Sequence, residues 1–267
     1  MHDREQVIEI NGGNDYVTAL VQAIACEIER TLGVNGHACL AVSRSRDRSS
    51  VPVFAALRQQ QLGWDRVRVI LADERMVPLN HADSNASSVC DILLRNAAAK
   101  AEFLPPVPPY CLEIDEIHTS AVVAELNRSY RQPDIVMLGM GEDGHIASLF
   151  ADAPELKAAL SAEKDPGYIS LSPRAAPHRR VSLNLSALLG ARRIILGFRG
   201  VWKKQVFDAA ALELTPVLPV SYLLHQNRTP VDVYWEKQPR MGFWLLQRFP
   251  DPWCMSYFIG AVLARRR

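Results

Sequence analysis

Apolar positions along the chain alternate between helical and extended spacing. Val17, Leu20, Val21, Ile24 and Ile28 recur at intervals of three and four, so Tyr16 to Leu32 is predicted to be an amphipathic helix ended by Gly33. Ala38 to Val42 is a short continuous apolar run, as expected of a buried strand. A polar loop, 43–50, follows it, and then a second helix is predicted from Val51 to about Leu62, with Pro52 in its first turn. Val67 to Leu71 reads as a strand. Ser84 is a good N-cap for a helix running to about Asn96, and Thr119 to Arg131 reads as a helix ended by Pro133. Ile135 to Leu138 is a further buried strand. After it come a helical patch over Glu155 to Ala162, strands at Tyr168 to Leu171 and Ile194 to Phe198, a turn at Gly200, a helix opened by Lys203 and Lys204, and a strand at Val231 to Trp235.

Strands alternating with helices imply an α/β fold: a mostly parallel sheet with helices on both faces and right-handed crossovers. Leu104-Pro105-Pro106-Val107-Pro108-Pro109 is a stiff connector, either a surface linker or the boundary of a small additional subdomain. Residues 1–235 form the expected α/β domain, and 236–267 a C-terminal extension. The extension's apolar stretch, Trp253 to Ala264, is shorter than the roughly 20 residues a membrane-spanning helix needs. A packed helix, a disordered extension and a surface- or partner-binding helix remain open there.

Composition narrows the function. Of 267 residues, 48% are hydrophobic and 22% charged, as in a soluble globular protein with a sizeable core. The net charge of +1 provides no global field for nucleic acid, so an anionic metabolite must be held by local Arg and Lys groups. Cys26, Cys39, Cys90, Cys111 and Cys254 show no CxxC spacing, which suggests reduced, mostly buried thiols in a cytoplasmic protein. The charged N-terminus has no apolar run of the kind a signal peptide carries.

The candidate chemistry gathers where strands end. Gly139, Gly141 and Gly144 surround Asp143 and His145 just after the 135–138 strand, at the end of the sheet where ligands bind in open α/β folds. A histidine two residues from a carboxylate there is a candidate general base; a polar surface turn is the alternative. The loop Ser43-Arg44-Ser45-Arg46-Asp47-Arg48-Ser49-Ser50 lies before a helix N-terminus and is either an anion site or a solvated basic loop. Asp73-Glu74-Arg75 directly follows a buried strand, which places it at the sheet's active edge or in a surface turn. His178, Arg179 and Arg180 form a second cationic group. No His/Cys/Asp cluster has metal spacing, no GxSxG offers a serine nucleophile, and no GxGxxG loop is present. This set suits a base that activates water and cations that hold a phosphate.

Several blocks together carry a resemblance. They are Asp73-Glu74-Arg75-Met76-Val77-Pro78, Ser84-Asn85, the run from Gly139 to Phe150 containing Asp143-Gly144-His145, Arg180-Val181-Ser182-Leu183, and Gly200-Val201-Trp202-Lys203. The chain, from about residue 16 to 235, resembles the glucosamine-6-phosphate isomerase/6-phosphogluconolactonase family. The deaminase branch continues its Asp-Gly-His toward Phe-Asn-Glu-Pro, whereas Ser148-Leu149-Phe150 here resembles the lactonase branch. The resemblance implies a modified Rossmann-like sheet and hydrolysis of 6-phospho-D-glucono-1,5-lactone to 6-phosphogluconate in the oxidative pentose phosphate pathway. It implies His145 as the base that activates water, with Asp143 tuning it. It implies Ser45, Arg48, Ser49, Arg75, Gly144, Arg180 and Lys203 as substrate or phosphate contacts, and neither a metal nor an organic cofactor. A monomer is expected. Two alternatives are a sugar-phosphate isomerase or deaminase on the same fold, and a catalytically impaired homologue that only binds a sugar phosphate or a protein partner. The first phosphate loop departs from the family: Arg46 and Asp47 replace both glycines, and Ser50 replaces the proline. Side-chain recognition by Arg46 and Arg48 would then take over from the backbone.

Overall fold

The structure, a computed structural model, describes residues 5–10, 13–45, 49–107 and 116–237. The C-terminal extension from residue 238 onward, with Cys111, Cys254 and the loop residues Arg46, Asp47 and Arg48, lies outside the described residues. The strands are β1 (Glu5–Ile10), β2 (Ala38–Val42), β3 (Val67–Leu71), β4 (Asp73–Arg75), β5 (Glu102–Phe103), β6 (Ile135–Leu138), β7 (Tyr168–Leu171), β8 (Arg180–Leu183), β9 (Arg193–Arg199) and β10 (Val231–Glu236). The helices are α1 (Gly13–Asn35), α2 (Ser50–Leu57), α3 (Asn85–Ser88), α4 (Glu116–Arg128), α5 (Leu156–Ala159), α6 (Leu185–Leu189), α7 (Val201–Leu212) and α8 (Ser221–Leu224).

Seven strands form one parallel sheet in the order β1-β10-β9-β6-β2-β3-β5. Side chains alternate across it as the two-residue strand period demands. Leu40 and Val42 of β2, and Ile135 and Met137 of β6, join the core under α1 and α2, which supply Leu20, Ile24, Val53 and Phe54. Ala41, Val136 and Leu138 point to the opposite face, onto a second core with Leu188, Phe207 and Leu223. Both faces are thus buried, which explains why β2 and β6 read as unbroken apolar runs. Fully burying one such leucine contributes roughly 1.5–3 kcal/mol.

The strand order reverses between β2 and β6, since one half of the sheet grows through β3 and the other through β9. Ligands bind at such switch points, beyond the strands' carboxyl ends. Two of the sequence's candidate loops leave there side by side. Ser43 N–H bonds Met137 O at 3.0 Å, and a Cβ added at Gly139 would lie 3.3 Å from Ser45 Cβ.

Three expectations are corrected. The second helix stops at Leu57 rather than Leu62: Gln59 N–H and Gln60 N–H turn to the i−3 carbonyls of Ala56 and Leu57, and Gln60 O accepts the indole N–H of buried Trp64 at 2.9 Å. The helix capped by Ser84, whose hydroxyl does accept Ser87 N–H at 3.1 Å, gives way after Ser88 to a π turn over Val89–Leu93 that buries both Val89 and Leu93. Asp73, Glu74 and Arg75 are not in a surface turn. They form β4, the edge of a separate three-stranded antiparallel sheet, β4-β8-β7, and are only 3%, 1% and 8% exposed. Of the three described cysteines, Cys39 is buried, Cys90 is half-buried and Cys26 is exposed.

Candidate active site

The turn after β6 is a compact polar loop. Gly141 N–H bonds His145 O at 2.9 Å, Gly144 N–H bonds Gly141 O at 3.2 Å, and Gly144 O accepts Val220 N–H at 2.9 Å. Gly144 has φ +76°, a conformation that favours glycine, and faces Leu218 too closely to carry a side chain easily. His145 Nδ1 lies 2.5 Å from Asp143 Oδ1. Burial alone would raise the Asp143 carboxyl, but the hydrogen bond and charge of His145 outweigh it and hold the group below the usual carboxylate range. An ionised Asp143 accepts only, so Nδ1 is the ring nitrogen that donates to it, and in the neutral imidazole the lone pair lies on Nε2. The imidazole stacks on Phe150 with centroids 4.0 Å apart and remains 24% exposed, enough for water to reach it.

A buried carboxylate holds the surrounding loops together. Asp73 accepts Ser43 Oγ–H and Ser148 Oγ–H, each at 2.8 Å. It therefore joins the end of β2, the start of β4 and the His145 loop. Glu74 next to it accepts Arg75 N–H, Asn85 N–H and Ala86 N–H at 2.7–2.8 Å, and Ser84 Oγ–H at 3.2 Å. Burial pushes its carboxyl up to about 7 against those backbone donors.

Cations gather around one cavity of about 380 Å³, lined by Arg44, Arg75, Asp83, Pro177, His178 and Arg180. Arg75 and Arg180 are direct partners across the antiparallel β4–β8 pair. Like charges directly opposite destabilise a sheet, and both residues are buried, so this arrangement suits an anion between or before them. Arg75 Nη1 donates to Asp83 O at 2.6 Å, and Arg180 Nη2 to Pro177 O at 3.1 Å. The buried Arg75 Nε–H meets no acceptor among the described residues. The Arg180 guanidinium lies 5.5 Å from the centroid of Phe150, the same ring that supports His145. Phe150 thus links the cationic pocket to the histidine.

The other predicted contacts lie elsewhere. Ser45 Oγ and Ser49 Oγ are 2.8 Å apart, and Ser45 Oγ accepts Ser50 N–H at 3.1 Å. The cavity these serines line with Tyr16, Gly139 and Gly197 is about 10 Å³, room for a single water. Lys203 is half-buried in the first turn of α7 and lines neither cavity. Ser43, Arg44, Asp73, Ser148 and Phe150 were not singled out as site residues from sequence. Their roles depend on pairings between distant segments, although Asp73, Ser148 and Phe150 lie in the blocks that carry the resemblance and Ser43 and Arg44 in the candidate anion loop.

Residues 12–235 match the family described as glucosamine-6-phosphate isomerases/6-phosphogluconolactonase. A 6-phosphogluconolactonase of Neisseria meningitidis serogroup A is 37% identical over 227 residues, covering 85% of this chain and 97% of that protein. A solved Neisseria gonorrhoeae structure has a TM-score of 0.81 at 36% identity, covering 87% of this chain and 99% of that one. The 6-phosphogluconolactonase of Shewanella baltica has a TM-score of 0.78 at 31% identity, covering 87% and 97%.

Proposed function

Because the chain belongs to the glucosamine-6-phosphate isomerase/6-phosphogluconolactonase family, we propose that it hydrolyses 6-phospho-D-glucono-1,5-lactone to 6-phosphogluconate, as a cytoplasmic monomer. The observation that carries this is the Asp143–His145 pair at the β2/β6 switch point, with Arg180 reaching the same Phe150 ring. His145 Nε2 takes a proton from water as the oxygen attacks the lactone carbonyl carbon. Asp143 stabilises the imidazolium that forms. The tetrahedral intermediate collapses, the bond to the ring oxygen breaks, and the imidazolium returns the proton to that oxygen. The new carboxylic acid then loses its proton to solvent. The step calls on no metal and no organic cofactor.

Arg75 and Arg180 hold the 6-phosphate, with Arg44 at the same cavity. For Ser45, Arg48, Ser49, Gly144 and Lys203 the support is the resemblance and not a phosphate-sized cavity. The deaminase alternative is disfavoured by Ser148, whose hydroxyl is turned inward onto Asp73.

The test compares the phosphorylated lactone with unphosphorylated glucono-1,5-lactone. A charge-assisted hydrogen bond contributes about 1.5–3 kcal/mol, so Arg75→Ala or Arg180→Ala should raise KM for the phosphorylated lactone roughly 10- to 100-fold. Hydrolysis of the unphosphorylated lactone should change little. Equal effects on both substrates would remove the phosphate assignment, and wild-type hydrolysis no faster than the spontaneous rate would remove the enzyme itself.

A further inference from the structure

One cluster of side chains stands outside the proposed chemistry. His81 and Asp83 sit in the connection between β4 and α3, and His178 in the connection between β7 and β8. One ligand atom from each lies within 4.8 Å of the other two. His178 Nε2 is 3.0 Å from Asp83 Oδ2, and His81 Nδ1 is 4.0 Å from the same oxygen. The imidazole rings meet edge to face with centroids 5.3 Å apart. His178 has φ +70°, a left-handed conformation that a non-glycine residue adopts at a cost, and it is this backbone that places its ring beside Asp83.

We propose that His81, Asp83 and His178 form a binding site for a divalent transition metal of the Zn²⁺ class, at the rim of the Arg75/Arg180 cavity. Two imidazoles and one carboxylate are a borderline-soft donor set. They suit Zn²⁺ or Co²⁺ and are a poor match for Mg²⁺ or Ca²⁺, which take oxygen ligands. Zn²⁺ bonds nitrogen and oxygen at about 2.0–2.2 Å in tetrahedral geometry, which puts neighbouring ligand atoms roughly 3.3–3.5 Å apart. The 3.0 and 4.0 Å separations to Asp83 Oδ2 bracket that value; His81 Nδ1 now accepts the Asp83 N–H at 3.1 Å, so a metal would replace that bond or take Nε2 after the ring turns. Three protein ligands leave a fourth position open.

Arg44, Arg75 and Arg180 line the neighbouring cavity and oppose a cation. Two features offset this. Arg75 donates to the Asp83 backbone oxygen, which leaves the carboxylate to the histidines. The side chains of His81, Asp83 and His178 are 43%, 47% and 27% exposed, so water screens the repulsion. A bound ion would add a link between two loops that already meet through the β4–β8 pairing and the Met76 N–H to Arg179 O bond.

The experiment titrates metal-free, full-length protein with Zn²⁺ by calorimetry and with Co²⁺ by visible absorption, and repeats both on His81→Ala, His178→Gln and His37→Ala. His178→Gln keeps a polar group facing Asp83 should His178→Ala fail to fold. His37 is an exposed histidine outside the cluster. The expected result is one saturable equivalent, not displaced by excess Mg²⁺. His81→Ala and His178→Gln should each weaken binding at least about tenfold, and His37→Ala should leave it unchanged. Metal should also raise Tm in the wild type but not in the two ligand variants. No saturable binding, or binding unchanged in both ligand variants, would overturn the proposal; a thiolate charge-transfer band with Co²⁺ would place the ion on a cysteine and do the same.

Discussion

Gly141→Ala tests whether the position of His145 matters, without touching any functional group. A Cβ built at Gly141 falls 2.1 Å from His145 Nδ1, 2.2 Å from Cε1 and 2.5 Å from Asp143 Oδ1. Ordinary contacts of this kind are about 3.4 Å or longer, so the imidazole must move by more than about 1 Å or leave Asp143. Gly141 is not among the residues of positive φ, so its backbone tolerates alanine and the clash is confined to the site. A misplacement of about 1 Å at the reacting group costs on the order of 10²-fold in rate. Steady-state hydrolysis of the phosphorylated lactone should therefore show kcat reduced about 100-fold with KM little changed, because Arg75 and Arg180 lie on other strands. Thermal unfolding should stay within a few degrees of wild type. A variant with wild-type kcat would refute the reasoning, since the ring would then be free to move without consequence. Loss of folding would show that the turn serves stability instead.

Two further outcomes follow from other parts of the site. Glu74 has a folded pKa of about 7 against an ordinary 4.5, so the folded state holds its proton more tightly. The resulting stabilisation is fully present below about pH 4.5 and is lost as pH rises through about 7, a change of roughly 3 kcal/mol. Denaturant unfolding at pH 5 and pH 8 should show this loss in the wild type and its absence in Glu74→Gln; parallel pH dependences would contradict it. Restoring glycines at Arg46 and Asp47 should lower KM for the phosphorylated lactone by admitting backbone N–H groups to the anion, whereas an unchanged or higher KM would mean that the arginines already do that work.

The elements buried on both faces were the most legible part of the chain. β2 and β6 are continuous apolar runs, β3 and β10 are apolar apart from Arg68, Asp232 and Glu236, and α1 carries a clear three-and-four repeat. The antiparallel sheet was hidden because β4 is three charged residues, Asp73-Glu74-Arg75, with no apolar alternation to reveal it. Their burial depends on tertiary donors, the two serine hydroxyls on Asp73 and the α3 N-terminus on Glu74. Asp143 and His145 were visible because they share one turn between glycines. The pairing of Arg75 with Arg180 across two strands was not, because register between segments so far apart leaves no local pattern. The same holds for His178 beside His81 and Asp83: the spacing matches no metal motif, and the second sheet brings His178 to the other two.

The most direct test of the account is the rate at which His145→Ala hydrolyses the phosphorylated lactone, measured beside the wild type and the spontaneous reaction in the same buffer. General-base catalysis contributes typically 10²- to 10⁴-fold. The wild type should exceed the spontaneous rate clearly, and His145→Ala should lose about 10²-fold or more of that advantage while still binding the phosphorylated ligand through Arg75 and Arg180. A variant as fast as the wild type, with both above the spontaneous rate, would contradict the assignment of His145 as the base.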